Sequence, residues 1–202
     1  MNIFFDLDGT LIDSRLRLYK LFQDLVSNSN LTFSDYWSLK RNKINHKKIL
    51  TSKFGYTEKD FLQFEDKWMA KIEQEEYLAL DTPFLDTTSF LNKLTNSHKL
   101  FVITARQFET STLNQITRFG WENIFSMVLV TEQKKEKYKL LKDNVNLTSD
   151  DWIIGDSGIE IKTGKVLKIN TAAVLSGFLN KKQISQYQPD VILNNVINFK
   201  YE

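Results

Sequence analysis

The chain has 202 residues, 27 Lys+Arg against 25 Asp+Glu, a formal net charge of +2 and 42% hydrophobic residues. That composition suits a folded core and offers no reason to expect nucleic acid or an anionic membrane as a partner. Cys is absent, which excludes disulfides, thiolate nucleophiles and Cys-ligated zinc. With only His46 and His98 available, any metal must be a hard ion held by oxygen.

The N-terminus runs Ile3-Phe4-Phe5, a short buried strand, straight into Asp6, with no basic region ahead of a long apolar run. No apolar stretch reaches the roughly 20 residues of a membrane helix. A cytoplasmic protein, monomeric or weakly dimeric, is expected. From Leu16 to Leu80 the pattern is helical only. Its clearest helix opens at Thr57 with Asp60 as a capping-box partner, and Phe61, Phe64, Trp68 and Ile72 form one apolar stripe. That stripe reads as core rather than as a ligand site, and the basic stretch Arg41, Lys43, His46, Lys47 and Lys48 reads as a solvated face. Asp81-Thr82-Pro83 marks a turn before a helix starting near Asp86.

Beyond it, continuous apolar runs alternate with helical segments. Leu100–Ile103, Met127–Val130, Trp152–Ile154, Ala172–Leu175 and Val191–Leu193 read as strands covered on both faces. The whole predicts an α/β fold: a Rossmann-like parallel sheet flanked by helices, with an all-helical insertion. The boundaries drawn are 1–14 and 80–202 for the core and 15–79 for the insertion.

The first strand is followed by Asp6-Leu7-Asp8-Gly9-Thr10-Leu11. Two carboxylates at the C-terminal edge of a parallel sheet stand where open α/β sheets bind ligands, and Gly9 permits the turn that lets both face one site. Such a pair can hold Mg²⁺, which commonly uses one or two carboxylates together with phosphate oxygens. One acid can then attack phosphorus while the other moves a proton. Read alone, the segment also fits a surface turn, the lesser of the two readings.

Further segments decide the matter. Val102-Ile103-Thr104-Ala105-Arg106 ends the second core strand in a Thr, and Gly155-Asp156-Ser157-Gly158-Ile159-Glu160 follows a buried strand. Between them lies the Lys-rich Gln133-Lys134-Lys135-Glu136-Lys137-Tyr138-Lys139. In order and placement these motifs resemble the haloacid dehalogenase (HAD) superfamily. Val166-Leu167-Lys168-Ile169-Asn170, Gly177 and Gln188-Pro189-Asp190-Val191-Ile192 extend the likeness to phosphoglycolate-phosphatase-like members with a small helical cap. In that likeness Asn170 stands at a left-handed helix C-cap.

The resemblance implies that a small phosphorylated metabolite is hydrolysed through an aspartyl-phosphate. Asp6 is then the nucleophile, and Asp8 the acid and base, with its pKa tuned upward. The Thr104 hydroxyl binds phosphoryl oxygens, and a catalytic ammonium comes from Lys134 or Lys137. Leu7, Gly9, Thr10, Ala105 and Arg106 surround the substrate. Mg²⁺ is held by Asp6, Asp8 (through its carbonyl) and Asp156, with Glu160, in place of the usual Asp, at its outer side. Asp8 disfavours dehalogenation. A sugar phosphomutase of the same superfamily and a non-catalytic ligand-binding module remain as alternatives.

Overall fold

A computed structural model describes residues 1–200. The chain runs β1 (Asn2–Phe5), β2 (Ile12–Asp13), α1 (Arg15–Leu25), α2 (Phe33–Arg41), α3 (His46–Phe54), α4 (Glu58–Lys71), α5 (Glu75–Leu78), β3 (Thr82–Pro83), α6 (Thr87–Leu94) and β4 (Lys99–Thr104). It continues with α7 (Glu109–Arg118), β5 (Met127–Val130), α8 (Lys137–Asn144), β6 (Trp152–Gly155), α9 (Gly158–Leu167), β7 (Asn170–Val174), α10 (Lys181–Ile184) and β8 (Val191–Leu193).

Six strands form one parallel sheet in the order β5-β4-β1-β6-β7-β8, so every predicted core strand is present. β1 lies at the centre because its apolar residues face helices on both sides: Ile3, Phe4 and Phe5 are fully buried. Ile3 and Phe5 join the core on one face of the sheet, and Phe4 joins a second cluster with Phe101 and Leu141 on the other. From β1 the chain builds outward to β4 and β5, then returns to lay β6 on the opposite flank. The order reverses beside β1, which is where such sheets bind ligands at their C-terminal edge.

The five helices from Arg15 to Leu78 pack around their own cluster, which includes Phe22, Tyr36, Ile49, Leu50 and Phe64. The Thr57–Asp60 capping box forms, because each side chain satisfies the other's orphan backbone N–H. Phe64 and Ile72 are buried, whereas Phe61 and Trp68 only partly face that core.

Two local expectations are corrected. Asp81-Thr82-Pro83 is not a free turn: Thr82 and Pro83 pair antiparallel with Asp13 and Ile12, zipping together the two linkers of the helical insertion. Pro83 is tolerated there because a two-residue ribbon has free edges. Asn170 is not a C-cap either. Lys168 takes the left-handed position (φ 57°), and Asn170 opens β7 in register with Trp152. Pairing Asn170 N with the Asp151 carbonyl at 2.9 Å places the turn two residues earlier, on an exposed Lys.

Candidate active site

The C-terminal ends of β1, β4 and β6 bring Asp6, Thr104 and Asp156 to one edge of the sheet, and α8 places Lys137 against them. Asp6 is held by its backbone N–H to the Ile154 carbonyl at 2.9 Å, which locks it to the adjacent strand. Gly9 takes φ +82°, and its amide reaches the Ile12 carbonyl at 2.8 Å. This closes a tight turn that keeps Leu7 and Thr10 fully buried. Among the described residues the Thr10 hydroxyl oxygen has no hydrogen-bond partner.

Lys137 Nζ donates to Asp6 Oδ1 and to Glu160 Oε1, both at 2.6 Å, and is almost wholly buried. Burial disfavours its charge, but the two carboxylates outweigh that and raise its pKa. Lys134 stands elsewhere, exposed and paired with Glu132 at 3.2 Å. The spacing between motifs left the two lysines equivalent. The helix start decides, because Lys137 is the first residue of α8 and projects inward.

Glu160 accepts from Lys137 on one oxygen and from the Ser157 hydroxyl at 2.7 Å on the other, so both oxygens are engaged within the protein. Burial pushes Asp6 up to about 7, partly offset by Lys137. Asp156 lies well above the usual carboxylate range, through burial first and then through its neighbours Asp6 and Glu160.

Asp8 departs from expectation. Arg106 donates to both of its oxygens, at 2.8 and 2.9 Å, and Arg17 from α1 donates to Oδ1. Burial would raise its pKa, but the two guanidiniums prevail and hold it well below the usual carboxylate range, not above it. Both arginines also pair with buried Asp81, at 3.0 Å from Arg17 and 3.3 Å from Arg106. Arg106 is therefore not a surface residue: it is 4% exposed.

The C-terminal turn of α4 contributes Trp68 and Met69 to the same pocket, with Ile72 next to them. This corrects the reading of that stripe as core alone. Glu73 follows, accepting from the backbone N–H groups of Gln107 and Phe108 at 2.7 and 3.2 Å and tying the insertion to the start of α7. The basic stretch does not line the pocket. Arg41 bonds the Leu175 carbonyl, Lys47 pairs with Glu58, and His46 sits among Phe22, Phe64 and Trp68.

Sequence reasoning missed Arg17, Asp81 and Glu73. Arg17 carried a signal: a charge one residue before Leu18 and four before Leu21, on the buried face of a helix.

The donor set suits a hard divalent cation. Three buried cations (Arg17, Arg106, Lys137) face five carboxyl groups (Asp6, Asp8, Asp81, Asp156, Glu160), so the acids outnumber the cations by two. Asp8 and Glu160 are engaged on both oxygens, whereas Asp6 accepts from Lys137 on Oδ1 and Asp156 from Phe178 on Oδ2, which makes Asp6 and Asp156 the side chains for an ion. Among the described residues no three His, Asp or Glu side chains converge on one point, and Mg²⁺ needs only one or two.

A family model described as haloacid dehalogenase-like hydrolase matches residues 3–174. No curated protein matches the sequence. Among solved structures the chain is similar to a candidate phosphatase from Clostridium difficile (18% identity, TM-score 0.78, covering 96% of this chain and 94% of that one). A predicted phosphoglycolate phosphatase from Haemophilus somnus 129pt is similar at 20% identity, with TM-score 0.72 over 96% and 93%. A candidate beta-phosphoglucomutase from Thermotoga maritima is similar at 13% identity, with TM-score 0.67 over 95% and 93%. At these identities the structures establish a shared fold.

Proposed function

We propose that this chain, which belongs to the haloacid dehalogenase-like hydrolases, is a phosphatase that hydrolyses a small phosphate monoester with Asp6 as nucleophile. The observation that carries this reading is the buried Lys137 bridge between Asp6 and Glu160. It fixes a carboxylate at the sheet edge beside Asp8, Thr104 and Asp156. The cavity measures about 330 Å³ and is walled partly by Arg17, Trp68 and Met69 from residues 15–79. The helical insertion thereby acts as a cap domain over the core of 1–14 and 80–202, and the volume favours a small phosphorylated metabolite.

In the first half-reaction an Asp6 oxygen bonds to phosphorus as the ester P–O bond breaks, and the leaving alkoxide takes a proton. Water then attacks the acyl phosphate, releasing phosphate and restoring Asp6. Asp8 takes the water's proton and supplies one to the alkoxide, so over a cycle it gains none. Its present ion pairs suit the base step, and the donor step requires Arg17 and Arg106 to ease their hold.

Lys137 and the Thr104 hydroxyl oppose the charge that builds on the transferring group. Ala105 lines the cavity, whereas Leu7, Gly9 and Thr10 are buried in the turn around Asp8 and do not line it. Asp6 and Asp156, with the Asp8 carbonyl, would hold Mg²⁺, which supplies charge neutralisation when bound.

Turnover of a generic aryl phosphate with Mg²⁺ tests the reading. Activity should be lost in Asp6→Asn, and metal-dependent turnover that survives this change overturns the nucleophile assignment. A hexose phosphate converted to its isomer without release of phosphate would instead identify a phosphomutase.

A further inference from the structure

The segment after β7, residues 175–178, meets the site on one side and the helical insertion on the other. On the site side, Phe178 N donates to Asp156 Oδ2 at 2.6 Å. Gly177 lies so close that a Cβ there would collide with the Asp156 carboxylate. The Ser176 hydroxyl donates to the Gly9 carbonyl at 2.8 Å, steadying the turn that follows Asp8. The Phe178 amide and the close approach of Gly177 hold the Asp156 carboxylate from this side.

On the other side, Arg41 at the end of α2 donates to the Leu175 carbonyl at 3.0 Å, and its own carbonyl accepts from Asn180 N at 3.2 Å. Asn180 Nδ2 reaches Asn42 Oδ1 at 3.0 Å. The Phe178 ring packs on Trp37 with centroids 5.3 Å apart and joins the aromatic cluster of the insertion. One residue therefore carries a ring packed against Trp37 of α2 and an amide bonded to a carboxylate at the site.

We propose that Trp37 and Arg41 are positioning residues that hold Asp156 in its ligating orientation through Phe178, so that seating of the helical insertion and cation affinity are linked. This rests on the reading of Asp156 as a cation ligand. It differs from a purely steric role for the insertion, because it places an effect on the ion before any substrate arrives. Partners that orient a ligand from outside the coordination shell typically change metal affinity 10–100-fold when removed.

The test is Mn²⁺ binding to the full chain without substrate, followed by the electron paramagnetic resonance signal of the free ion. Trp37→Ala and Arg41→Ala should each weaken Mn²⁺ about tenfold or more. Trp37→Phe, which keeps a ring against Phe178, should recover most of the affinity. Arg41 is only partly buried, so its variant stays informative if Trp37→Ala fails to fold. Asp156→Asn separates the two levels. If it abolishes binding while Trp37→Ala and Arg41→Ala bind within twofold of the parent, the positioning role is overturned and the ligand reading stands. If Asp156→Asn binds Mn²⁺ like the parent, both are overturned.

Discussion

Replacing Lys137 with Met should destabilise the protein and abolish activity, whereas Lys134→Met should do neither. Lys137 makes two contacts of 2.6 Å, to Asp6 and Glu160, deep in the protein. At an effective dielectric constant of 20, each attraction is about 6 kcal/mol before desolvation is counted. Burying the ammonium and two carboxylates offsets most of that sum, and breaking a buried pair by removing one partner costs about 3–5 kcal/mol. For a chain of this size each kcal/mol moves the melting temperature by about 2–4 °C, so the expected fall is about 6–20 °C. Lys134 is exposed and holds only Glu132, so its variant should melt within about 2 °C of the parent. Thermal unfolding by circular dichroism in metal-free buffer measures the shifts. Aryl phosphate turnover should fall by about 10²–10³ or more in Lys137→Met, the range for losing one electrostatic stabiliser. Equal losses for the two variants, or a Lys137→Met protein that melts with the parent, would refute the assignment.

Three other outcomes are expected. Gly9→Ala must place a Cβ against the Asp156 carboxylate at φ +82°, costing about 1–2 kcal/mol for the backbone alone; turnover should fall at least about tenfold, and a fully active variant would contradict the packing. Phe64→Ala removes a buried ring from the helical insertion and should cost about 3–5 kcal/mol in a denaturant titration. His46 has its pKa pushed well below the ordinary value by burial, with Lys40 adding to the effect. The folded state therefore keeps it neutral while the unfolded chain protonates near pH 6.5, so stability holds above that pH and declines by about 1.4 kcal/mol per unit below it. His46→Gln should flatten that decline between pH 6.5 and 5, and an unchanged slope would remove His46 as its source.

Much of the sheet was legible because burial on both faces writes continuous apolar runs such as Leu100–Ile103 and Trp152–Ile154 into the chain. Asp6, Thr104 and Asp156 were legible for a related reason: each sits where such a run stops, so the strand itself carries it to the edge of the sheet. The helical character of residues 15–79 was likewise readable from the stripe and the Thr57–Asp60 box. Contacts between distant segments were not. The choice of Lys137 over Lys134 depends on where α8 begins, and the grip of Arg17 and Arg106 on Asp8 depends on α1 and the segment after β4 meeting at one acid.

The order of residues thus determined the strands, the helical insertion and the carboxylates at the sheet edge, since local burial patterns and chain direction suffice for those. Only the tertiary structure decided which cation meets which acid, why Asp8 is held ionised, and how Phe178 joins the insertion to Asp156. Those outcomes turn on ion pairs and packing a few ångströms across between segments tens of residues apart, and their strength depends on burial that no single segment can specify.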